Sequence, residues 1–376
     1  MREVSVMPTI DRRRVRNRGE MRAALGVGLV LAAIASVTAQ QPTSAKSPLT
    51  STRSAPRTRP RPPDGHPDLQ GVWVNNTVTP FERPQELAGK EFLTDAELAV
   101  LKQRAARLFS GGGDHAPGDA LFLALLRNPD EYRSPRTNGS DYNQFWLDDG
   151  LEFETRTSQV VDPRDGHLPP LTPGGQQKQA ADLEWSQLHP ADGPEDRSTQ
   201  ERCLTFGTAR VGGVQARNNS FHQIVETPGY VLIHSEMIHE ARIIPLDGRP
   251  HPPATIRSLQ GDSRGRWDGH TLVIDTTNFS THRTFRQIQG LEVSGEHVHL
   301  IERLAPIDAD SIRYEVTVDD PTTWTTPWTA VTTWKRSSER MFEYACHEAN
   351  YSLTDILRGA RADEVAAAEA AKNPPK

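Results

Sequence analysis

Two glutamates and a histidine are candidates for acid–base chemistry in this sequence. Glu236 follows an apolar segment, and Glu343 and His347 lie in the run Glu-Tyr-Ala-Cys-His-Glu. A carboxylate or an imidazole can donate or accept a proton near neutral pH when its surroundings adjust its pKa. We therefore predict Glu236, Glu343 and His347 as catalytic residues. The alternative is that each only holds a loop in place through hydrogen bonds or ion pairs.

Four further polar or aromatic residues are candidates for ligand binding. They are His234, Trp267, Asn278 and Glu315. They lie in predicted strands or adjoining turns, where alternate side chains point to opposite faces. Each strand has one apolar and one polar face, so these residues either face water or line a cavity. A barrel wide enough to hold a ligand should turn some of them inward.

Recognisable catalytic and metal-binding motifs are lacking in the sequence. The chain has no Gly-x-Ser-x-Gly, no glycine-rich phosphate loop and no His-Glu-x-x-His. His297, His299 and Glu302 together resemble the metal strand of cupins. However, Glu302 comes three residues after His299 and so faces the opposite side of a regular strand. We predict neither a metal nor another cofactor.

Composition limits the classes of partner. The 376 residues include 43 basic and 49 acidic side chains, for a net charge of -6. A protein that binds nucleic acid through a simple polybasic surface needs an excess of Lys and Arg, so no nucleic-acid partner is predicted. Hydrophobic residues make up 35%, which is too many for a wholly disordered chain. The predicted partner is a small molecule, and the sequence specifies no oligomeric state.

The amino terminus has the pattern of an export signal. A basic stretch at Arg12–Arg22 precedes the uncharged, apolar segment Ala23–Val37. This segment has about 15 residues, fewer than the roughly 20 that a membrane-spanning helix needs. Small residues at Val37-Thr-Ala39 predict cleavage before Gln40. Residues 1–39 are thus a predicted signal peptide. The mature protein is predicted to be periplasmic or extracellular, with no membrane span. The alternatives are that the apolar segment is a membrane anchor or a core helix.

Residues beyond the cleavage point divide into a linker and a body. Residues 40–66 are rich in Ser, Thr, Pro, Arg and Gln and are predicted to be a disordered linker.

The chain has two cysteines, Cys203 and Cys346, and two cysteines in an exported protein are expected to pair. The alternative is two separate buried thiols.

The body, residues 67–361, is predicted to be mainly β. Its first strand holds Gly71 and Trp73, and Trp73 is predicted to lie inside the β body. An insertion near 92–188 has helical spacing, beginning with the capping pair Thr94 and Glu97. From residue 221 about eight short strands follow, including Tyr230–Ile238 and, last, Met341–Cys346. Short connections favour an antiparallel meander, closed as a calycin-like barrel or stacked as a sandwich. A C-terminal helix follows, and residues 362–376 are a helical or frayed tail.

Several long motifs resemble a family of secreted proteins from environmental bacteria. They are Pro-Asp-Leu-x-Gly-Val-Trp at 67–73, Gly-Pro-Glu-Asp-Arg at 193–197, Arg-Ile-Ile-Pro-Leu-Asp-Gly-Arg at 242–249 and Glu-Tyr-Ala-Cys-His-Glu at 343–348. The resemblance covers residues 67–361. It implies export and a single body. The family has no assigned activity, so the resemblance transfers no catalytic residue.

Three functions are compatible with these patterns. The first is an exported barrel that binds a small molecule in its cavity, with catalysis left open. The second is a secreted lyase, hydratase or hydrolase that uses carboxylate and histidine acid–base chemistry. The third is a structural or partner-binding envelope protein. A buried carboxylate with a strongly shifted pKa favours catalysis. A wholly apolar cavity favours binding without chemistry. A flat, exposed aromatic patch on a protein without a cavity favours the third function.

Overall fold

The structure, a computed structural model, describes part of the chain. The described residues are 65–110, 119–127, 152–208, 220–280, 287–288, 291–292, 295–348 and 350–372. All of them belong to one compact unit, Ser54–Lys376. The predicted signal peptide and all but the last two residues of the predicted linker lie outside the described residues. Among the described residues, no helix has the length and apolar character needed to cross a bilayer.

Antiparallel strands form most of the body. In chain order they are β1 Gly71–Val74, β2 Val160–Asp162, β3 Phe221–Thr227, β4 Tyr230–Ser235, β5 Glu240–Pro245, β6 Asp262–Asp268, β7 Thr271–Thr277, β8 Gln287–Ile288, β9 Leu291–Glu292, β10 His299–Asp308, β11 Ser311–Asp319 and β12 Trp328–Ser337. The main sheet has the order β5-β4-β3-β1-β12-β11-β10-β7-β6, and β2 also pairs with β12. Strands β8 and β9 form a separate two-stranded sheet. The first strand, β1, therefore lies between β3 and β12, both of which are distant from it in sequence.

The main sheet curls into a nearly closed barrel, which confirms the predicted fold class. Its two edge strands, β5 and β6, meet at Gly265. A Cβ atom at Gly265 would lie 2.8 Å from a methyl carbon of Ile244 and 2.6 Å from one of Leu246. Only glycine allows the backbone of β6 to come this close to β5. Of the two predicted closures, the sheet therefore adopts the barrel and not the sandwich.

Aromatic side chains fill much of the barrel interior. Trp73, Tyr314, Trp328 and Trp334 are each at most 1% exposed and belong to one core cluster. Tyr314 stacks on Trp334, with ring centroids 4.6 Å apart. The Trp73 indole donates a hydrogen bond to the Leu69 carbonyl at 2.8 Å. The prediction that Trp73 lies inside the β body is confirmed.

Helices lie in the insertion and at the C-terminal end. They are α1 Asp95–Ser110, α2 Asp119–Leu126, α3 Pro173–Leu188 and α4 Tyr351–Lys372. The predicted cap of α1 is present, because the Thr94 backbone N–H donates to the Glu97 carboxylate at 2.8 Å and the Glu97 N–H donates to Thr94 Oγ1 at 3.3 Å. Helices α1 and α2 share a second apolar cluster that includes Leu101 and Leu125. The helices of the insertion therefore have a small apolar core that is separate from the barrel core.

Two predicted strands are wrong in extent or type. Strand β4 ends at Ser235, because Ile238 and His239 adopt left-handed backbone angles, with φ of 60° and 45°. Residues Met341–Cys346 form no strand. Tyr344 and Cys346 instead pack against an apolar cluster formed by Phe206, Met237 and Ile238. Side-chain packing and the link through Cys346 thus replace a sheet ladder in this segment.

The predicted pairing of the two cysteines is confirmed. Cys203 and Cys346 form a disulfide with Cα atoms 5.7 Å apart, across 143 residues of sequence. Asn350 strengthens the same junction, because its side-chain amide donates to the Glu201 carbonyl at 2.9 Å. The disulfide thus attaches the segment that begins α4 to the loop that precedes β3.

Replacing both cysteines by serine should lower the free energy of unfolding by about 2–4 kcal/mol. The disulfide reduces the number of conformations that the long loop can adopt in the unfolded chain. In the folded protein, the Cys203 side chain is buried. Urea denaturation of the double variant and wild type measures the difference. Titration of two free thiols in denatured, unreduced wild type would contradict the bridge itself.

Candidate functional site

The turn between β4 and β5 brings two of the predicted catalytic segments together. Glu236 is 7% exposed, and its backbone N–H donates to the Phe221 carbonyl at 2.9 Å. Three residues later, His239 donates through Nδ1 to the Tyr344 carbonyl at 3.0 Å. The rings of His239 and His347 have centroids 6.4 Å apart. The Glu236 turn therefore adjoins the His347 segment, in a place where Ile238 and His239 hold unfavourable backbone angles.

The other candidates near this turn are more open. Glu343 is exposed, and His234 lies on the outer face of β4, between the inward-facing Ile233 and Ser235. Burial, followed by the nearby charge of His239, lowers the pKa of His234 below its ordinary value. Its surroundings therefore favour the neutral form of the His234 imidazole.

Trp267, Asn278 and Glu315 are not brought together. Trp267 and Asn278 lie at opposite ends of the β6–β7 hairpin, roughly 20 Å apart at the usual rise per strand residue. Trp267 packs on the barrel core and stacks on His66 at 4.7 Å. Asn278 donates to the Pro252 carbonyl at 3.0 Å. Glu315 lies on the outer face of β11 and pairs with Arg313 at 2.6 Å.

A polar cluster lies inside the barrel, and sequence reasoning did not place it there. Arg242 on β5 donates to a carboxylate oxygen of Glu302 on β10 at 2.8 Å. The hydroxyl of Tyr314 donates to the other oxygen of Glu302 at 2.7 Å. The side chains of Arg242 and Glu302 are 11% and 2% exposed. Burial alone would lower the pKa of Arg242, but the charge and hydrogen bond of Glu302 raise it above its ordinary value, so the guanidinium stays charged.

A second buried carboxylate joins the cluster to the disulfide loop. Glu240, the first residue of β5, is 6% exposed. Its carboxylate accepts hydrogen bonds from the Thr205 hydroxyl and from the Phe206 backbone N–H. Thr208 continues this loop, and its hydroxyl donates to the Gln260 carbonyl at 3.0 Å, just before β6. Hydrogen bonds therefore join the loop after Cys203 to β5 and to the residues that immediately precede β6.

A small cavity of about 10 Å³ lies beside the Arg242–Glu302 pair. Its wall consists of Thr208, Ile233, Ser235, Glu240, Arg242, Glu302 and Trp334. Two nitrogen atoms of this wall, Arg242 Nε and Trp334 Nε1, are buried and have no hydrogen-bond partner among the described residues. A cavity of this size accommodates a group about as large as one water molecule. The residues around the cavity therefore combine charge, burial and two unused hydrogen-bond donors.

A sequence signal for this cluster existed but was weak. Glu302 shares one face of β10 with Leu300 and Leu304, so it is a charged residue on an otherwise apolar face. The prediction that Glu302 and His299 lie on opposite faces of the strand is confirmed, since His299 lies on the outer face of β10. The partner Arg242 is 60 residues away, and only strand closure brings it near.

Outside the barrel, a chain of charged groups links β6, β7 and β10. His251 lies in the connection before β6, and its two ring nitrogens contact Asp262 at 2.7 Å and Asp275 at 2.9 Å. His299 contacts the other oxygen of Asp275 at 2.8 Å, and Arg264 pairs with Asp262 at 2.9 Å. Within the described part of the chain, no group of three or more His, Cys, Asp or Glu side chains is placed to hold a metal ion.

This outer chain should make stability depend on pH. The hydrogen bond to Asp275 raises the pKa of His299, so its stabilisation is complete below about pH 6.5 and is lost as pH rises through the raised pKa. Burial opposes ionisation of Asp275, but hydrogen bonds from His299 and His251 lower its pKa. Its stabilisation is therefore complete above about pH 4 and is lost as pH falls further.

Wild type should accordingly exceed Asp275→Asn in stability most strongly between about pH 4 and pH 6.5. Urea denaturation at several pH values measures this difference. His299→Gln is the matched variant and should flatten the alkaline side of the profile, while the acid side is weakened but kept, because His251 still bonds to Asp275. A pH-independent difference for both variants would contradict the linkage.

The fold and the site define the class of this protein as a nearly closed antiparallel β-barrel with a charged, hydrogen-bonded cluster inside. Neither a protein-family model nor a curated protein matches the chain. A match among solved structures is a secretary abundant heat soluble (SAHS) protein from Ramazzottius varieornatus. It is 11% identical, with 31% of this chain and 70% of that chain covered and a TM-score of 0.19.

Proposed function

We propose that the protein is an exported barrel that binds the polar end of a small molecule in the cavity beside Arg242 and Glu302. The observation that carries this proposal is a buried ion pair next to a cavity with unused donors. A buried ion pair is costly to desolvate, and apolar residues of similar volume often replace one without loss of stability. A function in recognition accounts for its presence.

The size of the cavity limits what it accepts. About 10 Å³ admits a single small group, while Trp73, Tyr314 and Trp334 fill the neighbouring interior. The rest of a ligand must therefore lie outside this space or displace part of the wall. Thr208 belongs to a loop, whereas the other wall residues lie on strands, so Thr208 is the wall residue whose substitution disturbs the barrel sheet least.

Catalysis at the Glu236 turn is a second candidate function. The observation that favours it is a buried glutamate in a turn where His239 has left-handed backbone angles and its ring lies 6.4 Å from that of His347. Strained backbone concentrates at functional sites. In this reading Glu236 acts as a general base or acid and His347 or Glu343 acts as its partner.

Mass spectrometry of protein purified from an exporting host tests the binding site. A small molecule should accompany wild type and should be lost from Arg242→Met/Glu302→Leu, which replaces the interior ion pair with apolar groups. The matched control is Arg303→Met/Asp268→Leu, which removes an exposed ion pair and should keep the ligand. If the small molecule is instead lost from Glu236→Gln, the binding site lies at the turn between β4 and β5. A wild-type protein that carries no compound would contradict binding and favour the structural function.

Export is the second part of the proposal. It is supported by the disulfide, which persists in oxidising compartments, and by the basic and apolar pattern of residues 12–39. The mature chain should begin at Gln40. Amino-terminal sequencing of the periplasmic or secreted protein measures this. A mature chain that retains residues 23–37 would contradict cleavage at this site.

A further inference from the structure

The cavity wall specifies the chemical class of the group that it binds. We infer that this group is an uncharged hydrogen-bond acceptor, such as the oxygen of an amide, ketone or alcohol. The inference deepens the proposed function and rests on it. Its basis is the charge of the wall, the two unused donors and the size of the cavity.

The charges of the wall disfavour an anion. The wall contains one guanidinium, Arg242, and two carboxylates, Glu240 and Glu302. Glu302 already pairs with Arg242 at 2.8 Å, and the remaining wall residues are neutral. An anion would therefore enter a space with an excess of negative charge and a guanidinium that is already matched. Charges interact strongly in a poorly solvated interior, so this repulsion is not screened away.

The hydrogen-bonding groups disfavour a cation or any other group that can only donate. Arg242 Nε and Trp334 Nε1 carry hydrogen and can only donate. Neither has an acceptor among the described residues, and Trp334 is 1% exposed. The Ser235 hydroxyl is already engaged with His222 Nδ1 at 3.0 Å. Ammonium and amidinium groups bring further N–H donors, so they leave both wall donors unsatisfied.

A neutral oxygen satisfies both conditions. A carbonyl or hydroxyl oxygen has two lone pairs and can accept from two N–H groups at once. It adds no charge to the wall, and its size fits a cavity of about 10 Å³. A single buried water molecule has the same properties, so the test must distinguish a ligand oxygen from water.

Three molecules of one shape separate these possibilities: acetamide, acetate and acetamidinium. They differ in charge and in donor content. Each is titrated into protein with the Thr208→Gly substitution, which removes the one side chain that a loop contributes to the wall. Thr208→Ala serves as a second variant if the glycine variant does not fold. The readout is the indole N–H resonance of Trp334 in nitrogen-15-labelled protein, and Trp334→Phe identifies that resonance.

Acetamide should shift the Trp334 resonance saturably, at a concentration at least about tenfold below that needed for acetate or acetamidinium. Equal or tighter binding of acetate or acetamidinium would overturn the inference and leave the proposed function standing. If none of the three shifts the resonance in a folded variant, the cavity is a water site, and both the inference and the proposed function are wrong.

Discussion

Glu302→Leu should destabilise the protein by about 3–5 kcal/mol, because it leaves the Arg242 guanidinium buried without its carboxylate partner. Arg242 is 11% exposed in its side chain, so water cannot replace Glu302 freely. The Tyr314 hydroxyl loses its acceptor at the same time. Urea denaturation followed by circular dichroism measures the loss.

The double variant Arg242→Met/Glu302→Leu is the informative control. It removes both charges, so its stability should return to within about 1 kcal/mol of wild type. Asp268→Leu breaks the exposed Arg303–Asp268 pair and should cost less than about 1 kcal/mol. A double variant as unstable as Glu302→Leu would show that the ion pair is needed for folding, and would remove the reason for assigning it to recognition.

Trp73→Ala should destabilise the protein by about 3–5 kcal/mol, because it leaves a cavity in the barrel core. Trp73 is fully buried on β1, the strand that joins β3 to β12. The substitution also removes the hydrogen bond to the Leu69 carbonyl and the contact with the Arg336 guanidinium, which lies 4.2 Å from the ring centroid. Chemical denaturation monitored by circular dichroism gives the difference.

Trp185→Ala is the matched control for Trp73→Ala. Trp185 lies on α3 and is 41% exposed, so its removal creates no enclosed cavity. Its loss should cost less than about 1 kcal/mol. Similar losses at the two positions would mean that β1 contributes no more to the barrel than the exposed surface of α3.

Local patterns in the sequence correctly predicted several elements. The Thr94 and Glu97 cap began α1 as predicted, because both partners lie within one helical turn. Alternation correctly placed Val231 and Ile233 on the face of β4 opposite His234, but the structure alone shows that His234 lies outside. The strand was wrongly extended to Ile238, because the same alternation continues through a turn whose left-handed angles an isoleucine rarely adopts.

The site residues were predicted from segments rich in polar and aromatic residues. Local composition does not indicate which segments contact each other in the folded protein. Glu236 and His347 did come into one region, joined by packing of Tyr344 and Cys346 against the β4–β5 turn. Trp267 and Glu315 did not, since Trp267 packs on the core and Glu315 faces outward. Strand alternation gives a face only when the strand's orientation in the closed sheet is known.

The sequence by itself determined the β class of the body, the helical insertion, the burial of Trp73 and, from two cysteines and an export pattern, the disulfide. These depend on local periodicity, capping and residue chemistry. Only the tertiary structure decided that the sheet closes as a barrel and that Arg242 meets Glu302 inside it. Those contacts depend on how the edge strands β5 and β6 curve towards each other at Gly265, and curvature is a property of the whole sheet.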